Sequence, residues 1–93
     1  MGFSGRQVAA ARELLGLKQG DLAELVGVAR RTITKFENGE AAIKPATLNQ
    51  IQVELEKRGI EFTNGTGTGV RVNHAKAEEF ARMSGQARKE ADH

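Results

Sequence analysis

The chain has 93 residues and a formal net charge of +2, from 14 Lys and Arg against 12 Asp and Glu, a balance that permits nucleic-acid binding without arguing for it. It has no cysteine, which excludes disulfides, thiolate metal sites and Cys nucleophiles, and the four Phe without Trp or Tyr leave an aliphatic core for one small domain. No apolar run approaches the roughly 18 residues a membrane span needs, the start Met1–Arg6 has no hydrophobic signal core, and Arg6 stands where a myristoylation motif needs Ser or Thr, so a cytoplasmic protein with no membrane partner is expected.

The first expected helix starts with Ser4 as N-cap and Gln7 three residues later, the spacing of a capping box, with Phe3 and Val8 placed as a hydrophobic staple. Val8, Ala11, Leu14 and Leu15 recur at helical spacing up to Gly16. Gln19 to Val26 reads as a second helix burying Leu22, Ala23, Leu25 and Val26, and Gly27 stops it. Ala29 to Asn38 reads as a third, with Ile33 and Phe36 inward and Asn38-Gly39 as its break. Pro45 suits the first turn of a fourth helix, since proline has no N–H to lose there. That helix runs to about Arg58 with Leu48, Ile51 and Leu55 on one stripe.

The period then changes. Ile60, Phe62, Val70 and Val72 alternate with Glu61, Thr63 and Arg71 around the glycine-rich stretch from Asn64 to Gly69, which predicts a β-hairpin. From Asn73 the tail is polar, with a helix expected over Ala75 to Met83, fraying beyond Gly85. The expected units are residues 1–59, the hairpin extension 60–72 and the tail 73–93.

The third helix carries the chemistry. Ile33 and Phe36 face inward, which leaves Arg30, Arg31, Thr34 and Lys35 on the outer face, with no acid among them before Glu37. Arginine donates bidentate hydrogen bonds to guanine O6 and N7, worth roughly 1–3 kcal/mol of discrimination each. Two cations at a helix N-terminus oppose the macrodipole by a few tenths of a kcal/mol; phosphate or guanine would offset that, although a solvated face is the plain alternative. The glycine-rich hairpin tip is no phosphate loop, because no helix opens after it. His74 and His93 have no partner at a recognisable spacing, so no catalysis, metal or cofactor is expected.

The stretch from Leu17 to Gly39 resembles the helix-turn-helix of the XRE family, the phage-repressor and Cro-like regulators. Gln19 and Leu22-Ala23 open the first motif helix, Gly27-Val28 make the turn, and Ile33 and Glu37-Asn38-Gly39 follow in ungapped register. The resemblance covers about residues 6–58. It implies a mainly α, lambda-repressor-like four-helix DNA-binding domain, here followed by the hairpin and a short tail, with the second motif helix in the major groove. In such repressors the residue matching Gln19 contacts a phosphate and braces the first residue of the recognition helix, here Arg30. Asn38 matches a backbone-contacting position, though a helix C-cap accounts for it equally well. The family pattern also pairs Glu37 with Arg12 as a structural salt bridge.

Three departures stand out. Lys18 replaces the usual capping Thr or Ser, and could compensate by reaching a phosphate. The loop Glu40-Ala41-Ala42-Ile43 offers no cation before Lys44, so phosphate contacts are few and pairing of two copies matters more. A hairpin stands where a fifth helix is the commoner ending; its edges could pair across a two-fold axis, or it could cover the open end of the core. The expectation is a dimeric, sequence-specific transcriptional regulator on double-stranded DNA, binding an inverted repeat. Arg30, Arg31, Thr34 and Lys35 would meet bases, and Lys18, Gln19, Asn38 and Lys44 the phosphates. The alternative is an antitoxin-like protein that grips a protein partner through residues 73–93, with Phe80 and Met83 as anchors.

Overall fold

Ser4 begins the first helix as its spacing requires. Its hydroxyl accepts the Gln7 N–H at 3.2 Å, and Gln7 Oε1 accepts the Ser4 N–H at 2.9 Å. The computed structural model describes residues 3–64 and 67–92, with side chains up to residue 84. Met1, Gly2, His93 and the Gly65-Thr66 part of the expected hairpin tip lie outside the described residues. In chain order the elements are α1 (Gly5–Leu15), α2 (Gln19–Val26), α3 (Arg30–Glu37), α4 (Pro45–Lys57), β1 (Ile60–Thr63), β2 (Gly69–Val72) and α5 (His74–Asp92).

The turn between α2 and α3 rests on Gly27, whose φ of 73° is open to glycine at little steric cost. The Val28 N–H returns to the Ala23 carbonyl at 3.0 Å, so the chain leaves α2 sharply and α3 crosses it. Val8, Leu22, Ile33, Ile51, Leu55 and Ile60 are almost wholly buried, and they come from four helices and the first strand. Pro45 occupies the first turn of α4. α1 also packs hard on the end of α3. A methyl placed on Gly5 would overlap the Phe36 carbonyl, so only glycine lets the two backbones approach this closely.

The hairpin pairs Ile60 with Val72 and Phe62 with Val70 in antiparallel register. Ile60 is buried in the core, and Phe62 stacks on Phe3 with ring centroids 4.3 Å apart. Gln7 Nε2 donates toward the Gly69 carbonyl at 3.1 Å and Asn64 Oδ1 at 3.2 Å. The hairpin therefore covers the end of the helical core between α1 and α4.

Two apolar expectations fail. Leu14 is 54% exposed and Leu25 40%, because the buried stripes are narrower than the apolar runs. On α1 the inward positions are Val8, Ala11 and Leu15, and Leu14 lies a sixth of a turn to one side of Ala11. On α2 they are Leu22, Ala23 and Val26, and Leu25 stands beyond Leu22 in the same way. The chain also forms the fifth helix in addition to the hairpin. α5 starts at His74, where Asn73 Oδ1 accepts the Lys76 N–H at 3.1 Å, and it is longer than the Ala75 to Met83 span expected. It docks on α4, with the Arg58 guanidinium 4.7 Å from the centre of the Phe80 ring.

Candidate nucleic-acid interface

Helical geometry sorts the side chains of α3 into stripes. Arg31 and Lys35 lie one turn apart, with Asn38 in line just past the helix end. Arg30 and Thr34 form the neighbouring stripe, and Ile33 points into the core, opposite the Arg31 and Lys35 stripe. Arg30 and Arg31 are exposed, while Thr34 and Lys35 are half-buried. No side-chain cap closes the N-terminus of α3, where Ala29 is the N-cap, so its first amides are left without a side-chain partner.

A hydrogen-bonded chain runs from this face into the body of the domain. The Thr34 hydroxyl lies 2.7 Å from Gln19 Oε1 and 3.2 Å from the Arg30 carbonyl. Gln19 Nε2 donates to Glu37 Oε1 at 2.9 Å. Glu37 in turn accepts two bonds from Arg12, Nε to Oε2 at 2.9 Å and Nη2 to Oε1 at 3.0 Å. The Glu37 side chain is 3% exposed, and Arg12 also holds the Leu17 carbonyl at 2.9 Å. The hydrogen bonds Arg12 donates to Glu37, stronger than the opposing burial, raise Arg12 above the ordinary arginine value, so the guanidinium stays charged. α1, α2 and α3 are thus tied at one point, directly behind the outer stripe.

Gln19 braces Thr34 and Glu37 instead of Arg30, the residue the resemblance suggested. The reason is reach: Thr34 lies one turn further along α3, level with the Gln19 amide, and offers the hydroxyl that the amide oxygen needs. Arg30 still lines a shallow depression with Lys18, Gln19 and Gly20 in the first turn of α2, with Arg12 also at its wall. Lys18 makes no side-chain cap. Its N–H is instead accepted by Asp21 Oδ2 at 2.9 Å, so half a capping box replaces the missing Thr or Ser. A second depression groups Asn38 and Gly39 with Ser4, Gly5 and Arg6. Asn38 caps the end of α3, and its amide donates to Glu40 Oε2 at 3.3 Å. Lys44 is exposed at the N-cap of α4 and lines neither depression.

Sequence reasoning missed Asp21, Arg6 and the anchoring role of Gln7. The spacing of Lys18 and Asp21 is legible once the reciprocal half of a capping box is considered alone. Arg6 shows no signal, because its neighbour Asn38 is far away in sequence.

Residues 8–59, more than half of the chain, match the Helix-turn-helix family. The chain belongs to the XRE-type helix-turn-helix family. Within it, a 37-residue stretch is 52% identical to part of an HTH-type transcriptional regulatory protein of Archaeoglobus fulgidus. That stretch is 40% of this chain and 12% of the relative, so the chain spans a small part of the length of the curated protein it matches. Against the XRE-type pattern, this member has the Arg12 and Glu37 pair and lacks a basic loop after α3. No described helix is long and apolar enough to cross a membrane.

Proposed function

We propose that the chain is a sequence-specific DNA-binding transcriptional regulator that acts as a dimer on an inverted repeat in the cytoplasm. The observation that carries this reading is the outer face of α3. Arg30, Arg31 and Lys35 project from a helix whose rear is fixed to α1 and α2 through Thr34, Gln19, Glu37 and Arg12. Such a helix suits the major groove, where its N-terminal side chains meet base edges. Arg30 and Arg31 are assigned to guanine, Lys35 to a base edge, and the Thr34 methyl to thymine. Lys18, Gln19, Asn38 and Lys44 are assigned to phosphates, and Arg6 joins them through its place beside Asn38.

The rival reading, a protein partner gripped by residues 73–93, has one of its two anchors already partly covered. Phe80 is already half-buried beneath the Arg58 guanidinium. Selection of bound duplexes from a random pool tests the proposal. A palindrome with G-containing half-sites about one helical turn apart, roughly 34 Å, is the expected result. Equal retention of every sequence at moderate salt would remove it.

A further inference from the structure

The two ends of α3 differ in charge. At its N-terminus Arg30 shares a depression with Lys18 and Arg12, against one acid, Asp21, whose carboxylate accepts the Lys18 N–H. At its C-terminus the depression that groups Asn38 and Gly39 with the start of α1 holds one cation, Arg6, and one acid, Glu37, which Arg12 already engages. A second carboxylate, that of Glu40, is bonded to the edge of this depression through Asn38.

The chain winds tightly round the end of α3 to reach Glu40. The Asn38 N–H returns to the Thr34 carbonyl at 3.0 Å, the Gly39 N–H to the Phe36 carbonyl at 3.1 Å and the Glu40 N–H to the Lys35 carbonyl at 2.8 Å. These backbone bonds fix where the Glu40 side chain starts. Glu40 is exposed and forms no ion pair among the described residues, so its charge is not cancelled. Its Oε2 accepts a hydrogen bond from Asn38 Nδ2 at 3.3 Å. Asn38 continues the Arg31 and Lys35 stripe, at the position assigned above to a phosphate. A carboxylate bonded to that amide occupies one of its donors and repels the phosphate the amide would hold. Ala41, Ala42 and Ile43 follow, so the loop offers no cation to offset it before Lys44.

We propose that Glu40 is a brake on contact between the end of α3 and the DNA strand beside it. It holds the Asn38 amide and keeps the sequence-independent part of the affinity low, so that retention depends the more on the side chains that meet bases. The inference rests on the DNA-binding reading given above and goes beyond it in naming a residue that opposes binding.

Fluorescence anisotropy of the full chain on two labelled duplexes, the selected palindrome and a scrambled sequence of the same composition, provides the test. Glu40→Gln removes the charge but keeps the shape, and it tightens binding to both duplexes by about threefold. Glu79→Gln makes the same change of net charge on α5 and moves neither affinity. Asn38→Ala separates the hydrogen bond from the charge. In the wild-type chain it costs less than about twofold, because the amide is already held, whereas beside Glu40→Ala it costs about fivefold, the worth of one hydrogen bond. Thermal melting checks that each variant is folded. Unchanged or weaker binding by Glu40→Gln overturns the proposal, and so does an equal gain from Glu79→Gln, which would leave a net-charge effect alone. Equal losses from Asn38→Ala in the two backgrounds overturn the hold of Glu40 on Asn38. A folded wild-type chain and a folded Glu40→Gln chain that both bind neither duplex overturn the DNA reading itself, and this inference with it.

Discussion

Glu37 accepts three hydrogen bonds in a place nearly closed to water, two from Arg12 and one from Gln19. Replacing it with Ala leaves the Arg12 guanidinium buried without a counter-charge, at an expected cost of about 3–5 kcal/mol. A fall in the urea midpoint without a change of slope is the measurement. Thr34 divides into two parts with separate roles. Its hydroxyl has one proton, shared between Gln19 Oε1 and the Arg30 carbonyl, and its methyl is the part assigned to a base. Thr34→Val therefore keeps any thymine preference in a binding-site selection while costing about 1 kcal/mol of stability through the lost hydroxyl bonds. Arg6→Gln should weaken binding evenly across sequences and make the slope of log affinity against log salt shallower by about 0.9. Arg30→Ala should instead relax preference at one base pair, and a purely uniform loss would make Arg30 a phosphate contact.

The crossing of α1 over α3 depends on an absence of atoms. Alanine normally favours a helix over glycine by about 1 kcal/mol, yet at position 5 the added methyl would meet the Phe36 carbonyl and the Glu37 Cα. Gly5→Ala is therefore expected to destabilise the fold by about 1–3 kcal/mol, read by thermal melting, and to loosen the end of α3 that carries Asn38. This contact also marks how far the sequence could be read. Ser4 with Gln7, Pro45, Gly27 and the alternation from Ile60 to Val72 are local signals, and each element they announce is present. The Arg12 and Glu37 ion pair is visible in the sequence only through the family register, since no periodicity links residues so far apart. Leu14 and Leu25 were misread because an apolar run does not say how wide its covered stripe is. Gly5 beneath Phe36 and Gln7 on the hairpin turn are contacts between distant segments, as is the depression Arg6 shares with Asn38, and no local pattern encodes them.

The whole molecule has two kinds of polar fastening, and acid should loosen the one nearer the surface. The helix-turn-helix half is tied by the buried Arg12 and Glu37 pair, whereas the hairpin and α5 are tied nearer the surface. Burial pushes the Glu54 carboxyl up, but hydrogen bonds from Arg58 and Lys57 outweigh it and hold the group below the ordinary carboxylate range. Glu61 is also held low, by hydrogen bonds from Asn73 and Arg71, with Lys76 nearby. A carboxylate depressed in the folded state contributes stability that is fully present above its unfolded value, near 4.3 for Glu. That contribution is lost as the pH falls through the lower folded value. Both carboxylates fasten the C-terminal part, because Glu54 holds the Arg58 that covers Phe80, and Glu61 joins β1 to Arg71 and Asn73. Lowering the pH from 7 toward 3 is thus expected to speed amide hydrogen exchange in the hairpin and α5, relative to intrinsic rates. Glu54→Gln with Glu61→Gln should raise that exchange at pH 7 and flatten its pH dependence. Exchange in the hairpin and α5 that keeps its pH 7 level down to pH 3 would show instead that neither carboxylate fastens them.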